Sequence, residues 1–346
     1  MAPPLPSPST LLRVSLSLFL CIAALPWPSA SASVRCHPDD KKALLQLKES
    51  LGNPYVLTSW DPQTDCCTWY CVRCDLDSHR IVDLIIANDA ALSAHIPAAI
   101  SRLPFLQTLM LHKLPGLAGP IPAAIGDLIN LKYLRISWTN ISGQVPAFLA
   151  RLTNLTYLDL SFNKLSGTIP PQLSLFPNLE EIHLDRNRLT GEIPGSFGDF
   201  APKVPNLYLS HNQLTGGIPE SLGKLNLTAI DLSRNRLQGD ASMLLGTNKT
   251  VERVDLSRNS IDFDLTNVAV PGSLAYLDLS HNKIYGRLPA ATTRQELQYL
   301  NVSYNRLCGP IPSGGKLQSF DSSAYFHNRC LCGAPLESCR QGKLDL

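Results

Sequence analysis

One unit recurs through the middle of this chain, and that recurrence limits the possible fold more than any other feature. Leu84, Leu109, Leu134, Leu158, Ile182, Leu207, Ile230, Val254, Leu277 and Leu300 follow one another at intervals of 23 to 25 residues. The fourth unit reads Leu155-x-x-Leu158-x-Leu160-x-x-Asn163-x-Leu165-Ser166-Gly167-x-Ile169-Pro170. Side chains alternate along a strand, so Leu158 and Leu160 point inward and the residue between them points out. Asn140, Asn163, Asn187, Asn212, Asn235, Asn259, Asn282 and Asn305 are expected to form a ladder that satisfies backbone groups where the chain turns inside. Glycines such as Gly143, Gly167, Gly191 and Gly286 permit a tight turn, and the Ile-Pro pair that follows starts the return path. One such unit cannot bury its apolar side alone, whereas ten stacked units make a continuous core.

The pattern is identified as the leucine-rich repeat. The expected fold is an α/β repeat solenoid of about ten coils with a parallel concave sheet. Length alone, 346 residues, would suggest two domains; repetition replaces that with one solenoid over 81–312. Both solenoid ends need lids. The N-terminal lid, 33–80, is predicted to open with a helix near Pro38 to Leu51, with Leu44, Leu47 and Leu51 on one face and Gly52 as the stop. Trp60 and Trp69 are placed to cover the first coil. The C-terminal lid occupies 313–346. Three places depart from the repeat: Asp89 and Leu114-Pro115 stand at the asparagine position of the first two units, and the seventh and eighth lose Ile-Pro. Irregular convex loops are expected in the last two, with the strand face intact.

An apolar run of about twelve residues, Val14 to Leu25, follows Arg13 and precedes Ala30-Ser31-Ala32. This is the layout of a secretory leader over 1–32, and it is too short to span a bilayer. No later apolar run is long enough, so no membrane insertion is expected. Nine cysteines follow the leader, clustered at the two ends. In an oxidising compartment they read as disulfides. Connectivity does not follow from the sequence, but pairing within each end is favoured: Cys36–Cys66, Cys67–Cys74, Cys308–Cys330 and Cys332–Cys339. Cys71 is then a free thiol or a competing partner. Zinc lacks a completing histidine at the right spacing, and neither metal nor cofactor is expected. A net charge of +2 excludes a generally basic nucleic-acid binder.

Successive strands stack at ~4.8 Å, so outward positions read as columns. The position between the two strand leucines holds Arg135, Asp159, His183, Tyr208, Asp231, Asp255, Asp278 and Asn301. Two residues on stand Ser137, Ser161, Asp185, Ser210, Ser233, Ser257, Ser280 and Ser303. Beside these run Trp138, Phe162, Arg186, His211, Arg234, Arg258, His281 and Tyr304. All are expected to face solvent, an acidic stripe beside a basic and aromatic one. Adjacent Asp231, Asp255 and Asp278 repel one another unless a cation offsets them. Exposed aromatics such as Trp138, Phe162 and Tyr304 are typical interface anchors.

The Leu-x-Gly-x-Ile-Pro variant, the cap Cys66-Cys67-x-Trp69-Tyr70-Cys71-x-x-Cys74 and the closing Phe326-His327-Asn328-Arg329-Cys330-Leu331-Cys332-Gly333 resemble those of plant polygalacturonase-inhibiting proteins. The resemblance spans essentially all of the chain after the leader. It implies a secreted plant cell-wall protein that blocks endo-polygalacturonases of fungi, sometimes of insects, through its concave face. It also implies a second sheet, short convex helices and four disulfides that leave Cys71 over. Concave acids that meet enzyme cations match Asp159, Asp185 and Asp231, and specificity positions match Glu180 and Glu252. A pectin-contacting basic column matches Arg234 and Arg258, with His211 and Ser280 at its other positions, which ties charge there to pH.

Repetition itself produces neighbours such as His211, Asp231 and Ser233, and an open face excludes little water, so no catalysis is expected. Sequons fall at Asn140, Asn154, Asn226, Asn248 and Asn301. Asn301 lies in the binding column, and is expected to be unmodified or outside the footprint. Two other readings have sequence support: a ligand- or receptor-binding protein in plant development, and a structural pectin-binding wall protein.

Overall fold

The computed structural model describes residues 36–200 and 205–339. The leader reading, 1–32, lies outside the described residues. Ten parallel strands form the concave sheet: Ile81–Ala87, Thr108–Gly119, Tyr133–Gln144, Tyr157–Asp159, Glu181–His183, Asn206–Tyr208, Ala229–Asp231, Arg253–Asp255, Tyr276–Asp278 and Tyr299–Asn301. Val72–Cys74 adds an antiparallel edge from the N-terminal cap. The ten repeating leucines and their substitutes stand opposite one another, from Leu84↔Leu109 to Leu277↔Leu300. All ten are buried. Matching hydrophobic register is what holds the strands in line, since a one-residue slip would turn every core side chain outward.

At the end of each strand the chain turns inside, where its amides and carbonyls find no water. The asparagines resolve this. Asn187 Nδ2 donates to Leu184 O at 3.1 Å in its own coil and to Leu160 O at 2.9 Å in the preceding one. Its Oδ1 accepts from Leu165 N at 3.0 Å. The same three bonds recur at Asn212, Asn235, Asn259, Asn282, Asn305 and Asn328. Asn140 does not belong to this ladder. Thr139 occupies the position, donating its hydroxyl to Asn163 Oδ1 and accepting from Ile141 N. Asn328, by contrast, carries the ladder one coil further, into the C-terminal cap.

After the ladder each coil makes a second, shorter pairing. Ser142–Gln144, Lys164–Gly167, Arg188–Gly191 and Gln213–Leu214 pair in sequence, and Gln238–Gly239 pairs with Ser260–Ile261. Tyr285–Gly286, Arg306–Pro310 and Cys330–Cys332 follow. Isolated bridges, Gly217↔Gln238 and Asp264↔Tyr285, join the groups. This is the second sheet. Gly286 shows why glycine closes these turns: it holds φ +86°, and a Cβ there would sit 2.0 Å from Asp264 Oδ1. Proline then caps the return path, and the convex segments are 3-10 turns, for example Ala123–Asp127 after Pro122 and Glu220–Lys224 after Pro219. With Ile-Pro gone, the seventh unit keeps only Ser242–Leu244 and the eighth has no such turn. Both keep their concave strands.

The cap helix, Pro38–Ser50, buries Ala43, Leu44 and Leu47, and Gly52 ends it at φ +79°. Trp60 and Trp69 are buried and stacked, 5.6 Å between centroids. Their indole N–H groups donate to Tyr70 O and Thr64 Oγ1, as buried Trp requires. A pair not foreseen from the sequence fastens helix to solenoid. Asp40, 1% exposed, receives Arg80 Nε at 2.9 Å and Nη2 at 2.7 Å, and also Ile81 N at 2.8 Å. Disulfides Cys36–Cys66 and Cys67–Cys74 close the N-terminal cap, and Cys308–Cys330 and Cys332–Cys339 close the other. Cys71 keeps a free thiol, its pKa pushed up to about 11 by burial.

Three substitutions test the ladder and the Asp40–Arg80 pair. Asn235→Ala strands three backbone groups inside the solenoid and is expected to cost about 2–4 kcal/mol in denaturant unfolding, at about 1–3 kcal/mol per unsatisfied group with partial relaxation. Asn140→Ala, one residue off the ladder, is expected to cost no more than about 1 kcal/mol. Asp40→Ala leaves Arg80 unpaired, with an expected loss of about 3 kcal/mol.

Candidate functional site

Four of the concave strands, those of Asp159, Asp231, Asp255 and Asp278, end in an Asp-x-Ser bend, and this bend decides where the acids point. Asp159 Oδ1 accepts from Ser161 N at 2.8 Å and Ser161 Oγ at 2.6 Å. Asp255 does the same with Ser257, and Asn301 with Ser303. Asp231 and Asp278 accept from Ser233 N and Ser280 N. The bend draws carboxylate and serine down against the strand. Asp159, Asp255 and Asp278 are therefore buried, at 3%, 8% and 7% exposure, and so are Ser161, Ser233, Ser257, Ser280 and Ser303; Ser137 and Ser210, which follow Arg135 and Tyr208, are buried as well. This corrects the expectation that both columns face solvent. One oxygen of each acid serves the backbone; only the other is left for anything else.

Those second oxygens differ in what they meet. Asp159 Oδ2 pairs with Arg135 Nε at 2.9 Å, and Tyr299 OH donates to Asp278 Oδ2 at 3.2 Å. Arg253 Nη2 lies 3.9 Å from Asp255 Oδ2. Asp231 is half-buried, and its second oxygen has no hydrogen-bond partner among the described residues. Asp231, Asp255 and Asp278 stand opposite one another on successive strands. Burial, with the flanking charges of Asp231 and Asp278, pushes the Asp255 pKa up to about 6 against the pull of its Ser257 bonds.

His183 sits between carboxylates, 2.9 Å from Glu181 Oε2 and 3.8 Å from Asp185 Oδ1. Burial disfavours its charged form, but the bonds to Asp185 and Glu181 outweigh burial and raise its pKa. It also joins a run of rings: Tyr133–Tyr157 at 4.4 Å, Tyr157–His183 at 5.4 Å and His183–Tyr208 at 4.3 Å. Further along, the Arg253 guanidinium lies 3.6 Å from the Tyr276 centroid, and Tyr276 stacks on Tyr299 at 4.4 Å. Tyr133, Tyr157, Tyr276 and Tyr299 precede the inward leucine of their strands, and Arg253 precedes Val254 at the same position. The sequence reading missed this column. The same period-two rule that exposed the residue after the leucine exposes the one before it. Glu180 and Glu252 stand exposed, each one residue outside its strand.

The rim column has an unusual backbone. Trp138, Phe162, Arg186, His211, Arg234, Arg258, His281 and Tyr304 all hold φ between +53° and +56°, a left-handed region that bulky residues seldom adopt. Planar groups stack along it: Trp138–Phe162 at 3.8 Å, Arg186 at 4.9 Å from the Phe162 centroid, and His281–Tyr304 and Tyr304–His327 at 4.1 Å. Burial and the neighbouring Arg186 and Arg234 push the His211 pKa down. Ser280 is tucked under the bend, so His281 is the rim neighbour of Arg258.

An open groove brings together His183, Asp185, Tyr208, Asp231, Asp255, Asp278 and Asn301 with Phe162, Arg186, His211, Arg234 and Arg258. Arg135, Trp138, Asp159, Glu180 and Glu252 do not line it. Among the sequons, Asn154, Asn226 and Asn248 are exposed, while Asn140 and Asn301 are half-buried. Cys36, Asp65, Cys66 and Cys67 are the one grouping among the described residues with metal-ligand spacing. Its three sulfurs are all committed to disulfides, so it offers no thiolate to a metal.

Comparison with known proteins places this architecture. Residues 37–75 match the family described as leucine rich repeat N-terminal domain, and 177–237, 130–152, 154–176, 273–294 and 296–316 match leucine rich repeat families. A protein named polygalacturonase inhibitor from Vitis vinifera is 59% identical over 96% of this chain and 99% of its own length. Another of that name from Pyrus communis is 61% identical, covering 94% and 98%. A solved structure titled as a plant ice-binding protein superposes with a TM-score of 0.88 at 52% identity, covering 89% of this chain and 99% of that one. The chain belongs to the polygalacturonase-inhibitor family of plant leucine-rich repeat proteins.

Proposed function

We propose that this chain is a secreted inhibitor of fungal endo-polygalacturonases that docks through its concave face and occludes pectin hydrolysis in the plant cell wall. The observation that carries the reading is near full-length identity of 59% and 61% to proteins named for that inhibition. The fold alone does not choose, since the protein titled as ice-binding shares it. Secretion is supported by the leader and by the disulfide-closed caps. Among the described residues no helix is long and apolar enough to cross a membrane.

The groove supplies a mechanism. An enzyme cation that approaches Asp231 meets a carboxylate oxygen not already bonded in the inhibitor. The adjoining acids, held close by the Asp-x-Ser bends, strengthen the field it enters. Tyr208, Tyr276, Tyr299 and Phe162 offer ring surface around the charges, the mix expected of an interface centre. Rim cations Arg234 and Arg258, with His211, are suited to anionic polymer beside the docked enzyme. Because Asn301 is half-buried and lines the groove, we place it among the groove residues rather than under a glycan.

Asp231→Arg reverses charge at the centre and is expected to weaken inhibition at least tenfold, about 1.4 kcal/mol. Reducing-end release from polygalacturonate by a fungal enzyme measures it, and an unchanged inhibition constant would move the footprint elsewhere. Asp255→Asn separates binding from stability. A raised folded pKa means that Asp255 supports the fold while protonated and loses that support as pH rises from about 4 to about 6. Asparagine keeps the acceptor for Ser257, as Asn301 does for Ser303. The variant is therefore expected to melt higher than the parent at pH 7, with the gap closing by pH 4. It should inhibit less well, in keeping with a site whose charge is held against stability.

A further inference from the structure

At the N-terminal end of the concave sheet lies a cleft of about 660 Å³ that shares no residue with the docking groove. Small-ligand sites measure about 300–1,000 Å³. Two tyrosines line it, Tyr55 and Tyr70, 90% and 67% exposed. The local fold holds both rings out. Tyr55 opens the 3-10 turn Tyr55–Leu57 behind Pro54, and the turn buries Leu57 instead. Tyr70 follows the buried Trp69, and its backbone is fixed on both sides: its N–H donates to Ser59 Oγ at 2.9 Å and its carbonyl accepts from Trp60 Nε1 at 2.7 Å. The rest of the lining comes from the first coil's departure from the repeat. Asp89 stands where later coils carry the ladder asparagine. Its Oδ1 accepts from Ala91 N at 2.9 Å and from Leu92 N at 3.1 Å. Ala87, Ala90 and Ala91, on either side of this bend, give the cleft only methyl groups and leave room beside the rings.

We propose that this cleft binds a neutral β-1,4-linked glucan, with the tyrosine rings against the faces of its sugars. Among the described residues that line it, Asp89 is the one charged group. Its second oxygen is buried with no hydrogen-bond partner among those residues. That uncompensated charge repels a uronate or a phosphate and leaves an uncharged ligand favoured. The hydroxyls of Thr58 and Ser59 and the exposed Asn88 amide also line the cleft. Each can donate and accept, as sugar hydroxyls do. A protein partner would bring an anchor side chain in search of a deep pocket, whereas here the rings themselves are the exposed part. β-Glucopyranose carries its substituents equatorially, so both faces of the ring are C–H surface, and successive units of a 1,4-linked chain turn alternate faces outward. An axial hydroxyl, as in mannose, roughens one face. Two aromatic platforms on one cleft suit the smoother chain. From the coil of Asn88 to that of Phe162, where the groove begins, the distance is about 14 Å at one coil per ~4.8 Å. The cleft is therefore a second site on the same molecule, and it does not rest on the inhibitor reading.

The test uses the full secreted, disulfide-intact protein, titrated by calorimetry with cellohexaose, mannohexaose and trigalacturonate, no enzyme being present. Cellohexaose is expected to bind, with an affinity insensitive to salt because no ion pair is formed. The double variant Tyr55→Ala with Tyr70→Ala is expected to bind it at least tenfold more weakly. Asn88→Gly, which suits the backbone φ of +59° there, is expected to bind it at least threefold more weakly. All these positions are exposed, so both variants are expected to melt as the parent does. Failure of the parent to bind cellohexaose, undiminished binding by either variant, or equal affinity of the parent for mannohexaose or trigalacturonate would each overturn the site. Inhibition of a fungal enzyme is read separately on the same samples. Its absence in the parent, with cellohexaose bound, would sink the inhibitor reading and leave the cleft standing.

Discussion

Every coil of this solenoid turns through its own interior, and the turn leaves amides and carbonyls where water cannot follow. The asparagine ladder answers that requirement with one side chain per coil, bonded to two coils at once. An amide carries both a donor pair and an acceptor, which is why asparagine suits the place and why Thr139, with one hydroxyl, needs Asn163 beside it. The bonds between coils also set their spacing. The concave columns, the ring stacks and the rim all inherit that spacing, so the concave surface is a product of the backbone's internal bookkeeping.

The caps solve a different problem. A coil at the end of a stack has no neighbour to cover its leucines. At the N-terminus a short helix, two stacked indoles and the buried Asp40–Arg80 pair provide the cover, with disulfides closing the loops between them. At the other end Asn328 continues the ladder into the cap, so the transition there is gradual: the last coil is half repeat and half lid.

Much of this was legible in the sequence because a repeat reports its own geometry. The inward leucines, the second sheet, the cap helix and the loosened seventh and eighth convex loops all follow from pattern and from family likeness. What stayed hidden was conformational. Nothing in the letters Asp-x-Ser marks a bend that buries its own carboxylate, so Asp159, Asp255 and Asp278 read as surface acids. Asn140 passed for a ladder residue because an asparagine stood one place from where the count puts Thr139. Asp40 and Arg80 lie far apart in sequence and outside the repeat, so no periodicity could pair them. The tyrosines before the leucines were within reach of the same alternation rule, which had been applied to only one side of the strand.

The left-handed rim has a further consequence, for how such a surface can change. From Asn88 to His327 the column holds asparagine, lysine, tryptophan, phenylalanine, arginine, histidine and tyrosine, and no valine, isoleucine or threonine. A branched Cβ is strained at that backbone angle, so three residue types are closed to it while long and flat side chains are tolerated. Variation at this edge is thereby channelled toward rings and cations, the groups richest in directional contacts. A backbone constraint of the fold thus acts as a filter on the alphabet from which this edge is built.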